Sequence, residues 1–135
     1  MSGAVAGRLA GAFTAVALLL AGCATPQPEA DCGAGMRPML ELTAYLGGNV
    51  SEADWQRFLT QTLTPAFPDG LTVAWARGQW RNPEGGRLVR EATRVLTVLA
   101  GDDARARFAP VEAAYRERFR QRSVLVTTQR VCGSL

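Results

Sequence analysis

The apolar residues of this chain change their spacing in a fixed order, and that order restricts the fold more than any other feature. In MLELTAYLGG (residues 39–48) apolar residues recur at every second position, which predicts a half-buried strand. In SEADWQRFLTQTL (residues 51–63) they recur at helical spacing behind the N-cap residue Ser51, and Pro65 follows as a stop signal. The first two elements are therefore predicted to be a strand and then a helix.

The rest of the chain predicts a hairpin, a second helix and a last strand. LTVAWARGQW (residues 71–80) is strand-like, the turn cluster NPEGG (residues 82–86) follows, and the return strand is most apolar at residues 95–100. An apolar stripe within residues 108–119 indicates the second helix. SVLVTTQRV (residues 123–131) then supplies the last strand.

The order of these elements, βαββαβ, predicts an α+β fold of the ferredoxin-like type. We expect a four-stranded antiparallel sheet in the order 4-1-3-2, with both helices on one face. Pro110 falls inside the second helical segment. We expect a short leading turn, a kink, or the start of the main helix at this residue, because proline lacks an N–H donor.

Two cysteines test this topology. In the predicted sheet the last strand runs antiparallel beside the first, so the start of the first strand lies beside the end of the last. Cys32 precedes the first strand and Cys132 ends the last one. We expect a disulfide between them in an oxidising compartment, and the alternative is two unpaired thiols.

The composition argues against several classes of function. The 15 basic residues are all arginine, and against 12 acidic residues they leave a net charge of only +3, so nucleic-acid binding is not predicted. The absence of histidine excludes Ser-His-Asp catalysis and histidine-based zinc sites. No phosphate-binding glycine loop or metal-ligand spacing occurs, so we predict neither a cofactor nor a metal and assign no catalytic residue.

The N-terminal segment has the features of an export signal. Residues 1–22 contain one charge, Arg8, and a short uncharged run that falls below the ~20 residues of a transmembrane helix. The sequence LAGC, which ends at Cys23, resembles the lipobox of bacterial lipoproteins. This resemblance implies cleavage before Cys23 and lipidation of its sulfur. An ordinary secreted protein with a free thiol is the alternative.

We therefore expect three segments: a lipoprotein signal peptide (residues 1–22), a lipidated cysteine with a proline-rich tether (residues 23–36), and a folded domain (residues 37–135). The lipid anchor implies an extracytoplasmic protein held on a membrane of the cell envelope. In a Gram-negative cell this is the periplasmic side of the outer membrane, and otherwise it is the outer face of the cell membrane.

A longer stretch carries a family resemblance. WQRFLTQTLTPAFPDGLTVAWARGQWRNPEGGRLVREATRVLTVL (residues 55–99), together with AAYRERF (residues 113–119) and the final SVL and VC, resembles a family of bacterial secreted and lipid-anchored proteins. That family is known as domain of unknown function 3574. The resemblance spans essentially the whole folded domain, and it implies no reaction.

The sheet face opposite the helices is the predicted binding surface. Alternation places Glu41, Thr43 and Tyr45 on it, and Gln79 and Trp80 of the hairpin are further candidates. Glu41 and Tyr45 lie about 13 Å apart along a strand, which is too far for an acid–base pair. An ordinary solvated face, a homodimer surface and a small-ligand site remain open.

Two functions follow from this surface. The first is a non-enzymatic domain, tethered to a membrane, that binds an envelope partner or a small ligand through its open sheet face. The alternative is a cofactor-independent enzyme with a pocket between two such sheets in a dimeric α+β barrel. A closed, dry cavity would favour the enzyme, and a flat, wet face would favour the binding domain.

Overall fold

The computed structural model describes residues 31–134, and Cys23 with the predicted signal peptide lies outside the described residues. Four strands form one antiparallel sheet in the order β2-β3-β1-β4, which confirms the predicted topology. The strands are β1 (Arg37–Gly47), β2 (Thr72–Arg81), β3 (Leu88–Ala100) and β4 (Leu125–Gly133).

The first helical segment is longer and less regular than its sequence predicts. α1 (Glu52–Phe58) begins at Ser51, whose hydroxyl accepts a hydrogen bond from the Asp54 amide at 3.1 Å. It continues as a π-helical stretch (Leu59–Leu63) and ends in a short helix, α2 (Thr64–Ala66). Pro65 does not stop the helix, because it occupies the first turn of α2, where a missing N–H is tolerated.

The second helix, α3 (Ala104–Phe119), runs through Pro110 without a break. The expectation of a separate leading turn or of a helix start at Pro110 was therefore wrong. Pro110 is exposed, and the buried side chains Phe108, Val111 and Tyr115 hold both sides of this turn against the sheet. Among residues 31–134, no helix has the length and apolar composition needed to cross a bilayer.

One hydrophobic core lies between the helices and the sheet. From β1 it receives Leu42, Ala44 and Leu46, as the alternation predicts, and β3 adds Leu96 and Val98 opposite them. The helices contribute a set of aromatic and aliphatic side chains that includes Trp55, Phe58, Leu63, Phe108, Val111 and Tyr115.

The two ends of the domain are joined covalently. Cys32 and Cys132 form a disulfide, with their α-carbons 5.5 Å apart and a sequence separation of 100. Pro38 of β1 is the cross-strand partner of Cys132, so the bridge lies at the point where β1 and β4 begin to pair. The covalent link therefore joins the same two strands that the topology makes neighbours.

Candidate functional site

The sheet surface turned away from the helices, called the open face here, is crossed by a row of four threonines. Thr43 of β1 pairs with Thr97 on one side and with Thr127 on the other, and Thr97 in turn pairs with Thr72. Residues that are directly opposite in a sheet share a face, so these four threonines lie side by side on the open face. The centre of the open face is therefore uncharged and β-branched.

The rows beside the threonines contain the other β1 candidates. Tyr45 is 40 % exposed and pairs with Leu125, which is 61 % exposed. On the other side, Glu41 accepts a hydrogen bond from the Gln129 side-chain amide at 2.9 Å. The Glu41 carboxylate and the Tyr45 phenol therefore lie in separate rows of the open face, on either side of the threonines.

Gln79 does not share this face with the other candidates. Trp80 points to the open side, and its neighbour Gln79 points to the helix side, because successive strand side chains alternate. On that side the Gln79 side-chain oxygen accepts a hydrogen bond from Arg90 Nε at 3.0 Å. The strand register therefore separates Gln79 from Trp80 on the two sides of β2, although both residues line the cleft described below.

Charge is divided unequally between the two faces of the sheet. Apart from Arg37, the first residue of β1, the strand arginines occupy helix-side positions. These helix-side arginines are Arg77, Arg81, Arg90, Arg94 and Arg130. Besides Arg37, the charged strand residues of the open face are the carboxylates Glu41 and Glu91, which lie at opposite ends. In a chain this rich in arginine, the open face is a nearly neutral surface.

A cleft of about 750 Å³ deepens one end of the open face. β1 ends at Gly47, so residues 77–92 of β2 and β3 extend beyond it as a two-stranded hairpin arm. The cleft lies between this arm and the loop of residues 120–123, with Tyr45 and Trp80 among its lining residues. An ion pair of 3.0 Å between Glu84 and Arg122 joins the arm to the loop.

Two glycines leave room in this cleft for polar side chains. A Cβ at Gly47 would collide with the Glu91 carboxylate, and one at Gly78 would lie 2.6 Å from the Thr93 hydroxyl. Beneath them Tyr115 donates a hydrogen bond of 3.0 Å to the Gly47 carbonyl, and burial raises the pKa of Tyr115 to about 12. The sequence analysis missed Gly78, although a lone glycine inside a strand is a signal of close approach.

A buried arginine was also missed by the sequence analysis. Arg94 of β3 is only 1 % exposed, and its guanidinium carbon lies 4.7 Å from the ring centre of Trp55 and 4.2 Å from that of Trp75. Its Nη2 donates to Glu52 at 3.1 Å, while Nε and Nη1 have no partner. The positively charged guanidinium of Arg94 is therefore buried on the helix side of the sheet and is stabilised by contact with two indole rings.

These features define a small α+β domain with a ferredoxin-like sheet and, in residues 31–134, no group of three or more acidic or cysteine side chains suited to a metal ion. The chain belongs to the family described as "Protein of unknown function (DUF3574)", whose model matches residues 40–135. No curated protein matches the chain.

Solved structures share the fold at low sequence identity. A phage SAM lyase in complex with S-methyl-5'-thioadenosine is 16 % identical, with a TM-score of 0.57 over 77 % of this chain and 93 % of that one. CutA from Synechococcus elongatus, complexed with Bis-Tris, is 8 % identical, with a TM-score of 0.51 over 74 % and 88 % of the two chains. At these identities the likeness is one of fold alone.

Proposed function

We propose that this protein is a non-enzymatic binding domain of the cell envelope, held on a membrane by lipid at Cys23, that pairs with a second copy of itself through the open face. The observation that carries the proposal is that the strand arginines, apart from Arg37 at the start of β1, lie on the other side of the sheet. Charged residues are depleted in the cores of protein interfaces, whereas tyrosine and tryptophan are enriched there. The open face combines this depletion with exposed Tyr45, Trp80 and Leu125.

The size of the open face supports a paired state. Strands spaced about 4.8 Å apart, with a rise of about 3.3 Å per residue, give four strands of this length a flat area on the order of 500 Å². Side-chain relief increases the accessible area, which brings it towards the ~800 Å² that each partner buries in a standard interface. A nearly neutral face also needs no oppositely charged partner, so a second copy is a suitable occupant.

The predicted anchor favours such pairing. Eight residues separate Cys23 from Cys32, and an extended chain over the nine steps from one cysteine to the other spans up to ~30 Å. Two copies anchored in one membrane would thus be free to turn their open faces towards each other. Confinement to the same surface also raises the effective concentration of each copy for the other.

The threonines of β4 offer a matched pair of variants for testing the interface. Thr127 and Thr128 are adjacent and exposed, but Thr127 lies on the open face and Thr128 on the helix side. Light scattering during size-exclusion chromatography of residues 24–135, which contain the whole described core and the disulfide, measures the assembly. We expect a dimer for the wild type and for T128R, and a monomer for T127R. A monomeric wild type, or equal behaviour of the two variants, refutes the proposal.

The anchor is tested separately, in a bacterium that processes lipoproteins. Mass spectrometry of the membrane fraction is expected to find a mature chain that begins at acylated Cys23, and C23S is expected to leave the membrane. An unmodified chain that begins elsewhere excludes the lipid anchor. That result would not refute the pairing of open faces, which the chromatography tests independently.

A further inference from the structure

A second concavity lies on the helix side of the hairpin arm. This groove has a volume of about 870 Å³, and its lining includes Trp75, Arg77, Gln79, Arg90 and Ala92, together with Asn49. Glu91 also borders the groove, but its carboxylate lies against Gly47 on the open side. The side chains that project into the groove from the arm are therefore two arginines, an amide and a methyl group, and Trp75 adds an indole from the part of β2 just before the arm.

The two arginines of the groove have no acidic partner. Among residues 31–134, neither Arg77 nor Arg90 lies within ion-pair distance of a carboxylate. Arg77 is opposite Ala92, and Arg90 is opposite Gln79, so the two arginines are diagonal neighbours on one face, about 7 to 8 Å apart at their α-carbons. An acid group between them could accept hydrogen bonds from both guanidinium groups.

Trp75 supplies the apolar wall beside these charges. It is 64 % exposed, and its inner surface lies against the buried guanidinium of Arg94. A cation against one surface of an indole draws electron density from the ring, so the other surface favours an electron-rich partner. Trp75 and Arg77 are two residues apart on one strand face, a separation of about 6.6 Å that one aromatic ring spans.

From this arrangement we propose that the groove binds a small planar organic anion, with its ring on Trp75 and its acid group between Arg77 and Arg90. Gln79 fixes the orientation of Arg90 through the hydrogen bond to its Nε. Asn49 also lines the groove, and its side-chain amide is a further hydrogen-bonding group there. The groove is on the opposite side of the sheet from the open face, so this site does not depend on the pairing proposed above.

The probe for this site is 2-naphthoate, and its neutral control is 2-naphthalenemethanol. In a titration of ¹⁵N-labelled residues 24–135 followed by NMR, we expect a saturable shift of the indole N–H signal that W75F identifies as that of Trp75. The alcohol should bind about tenfold more weakly, because it lacks the charge that the arginines recognise. Equal affinity for the two molecules, or no saturable shift of the Trp75 signal, overturns the proposal.

Variants separate a local site from a general charge effect. R77Q and R90Q should each weaken naphthoate binding by about tenfold. R116Q removes the same charge from an exposed position on α3 and should leave binding unchanged. T127R, which is designed to break the open-face pairing, should also bind naphthoate normally. If R116Q weakens binding as much as R77Q does, the groove has no specific anion site.

Discussion

Replacement of Arg94 by methionine should leave the stability of the domain nearly unchanged, although Arg94 is its largest fully buried side chain. Two of its nitrogen atoms, Nε and Nη1, are buried without a partner, and each such donor costs about 1 to 3 kcal/mol. Methionine removes both donors and fills nearly the same volume between Trp55 and Trp75.

The losses in R94M are of similar size. The two ring contacts contribute about 0.5 to 2 kcal/mol each. The ion pair with Glu52 adds little, because the Glu52 side chain is 56 % exposed and therefore screened by solvent. Gains and losses cancel, so we expect R94M to change the free energy of unfolding by less than about 1 kcal/mol.

R94A is the informative comparison for this variant. Alanine also removes the unpartnered donors, but it leaves a cavity between the two indoles, and loss of a large buried side chain costs about 3 to 5 kcal/mol. Urea unfolding followed by circular dichroism, which is less sensitive than fluorescence to changes around tryptophan, measures both variants. If R94M is as destabilised as R94A, the guanidinium itself stabilises the core, and the reasoning is wrong.

Two other features of the fold give predictions that equilibrium unfolding can check. The double variant C32S/C132S should lose about 4.7 kcal/mol of stability, because the disulfide closes a loop of 100 residues in the unfolded chain; a loss below about 1 kcal/mol contradicts this. Y115F should lower stability at neutral pH, because it leaves the Gly47 carbonyl without its donor. Because the pKa of Tyr115 is raised, its contribution to the stability of the domain is complete below pH 10 and is lost as the pH rises towards about 12. Y115F lacks this ionisation, so its alkaline loss of stability should begin at a higher pH than that of the wild type.

The fold could be predicted from the sequence because its strands alternate cleanly. The β1 pattern assigned Leu42 and Ala44 to the core and Thr43 to the open face, and the structure confirms both assignments. The strand order then placed Cys32 beside Cys132, since a ferredoxin-like sheet makes the first and last strands neighbours. These features follow from local periodicity and one topological rule.

The less predictable features depend on contacts between residues far apart in sequence. Arg94 looks like an exposed residue in its strand, but it is buried because Trp55 and Trp75 approach it from a helix and from the neighbouring strand. α3 continues through Pro110 because packing on both sides outweighs one lost hydrogen bond. The groove and the cleft form because the hairpin arm extends beyond the end of β1. The apolar periodicity of a sequence defines the ends of strands poorly, so this difference in strand length could not be predicted.

The proposed pairing of open faces is tested most directly by exposure of the threonine methyl groups to a soluble paramagnetic agent in NMR. At high protein concentration the methyl signals of Thr43, Thr97 and Thr127 should be protected from relaxation. On dilution their relaxation should increase, and that of exposed Thr127 should become as fast as that of exposed Thr128 on the helix side. If the Thr127 methyl group relaxes as fast as that of Thr128 at every concentration, and dilution leaves the relaxation of Thr43 and Thr97 unchanged, the open face is a solvated surface and the proposed pairing does not occur.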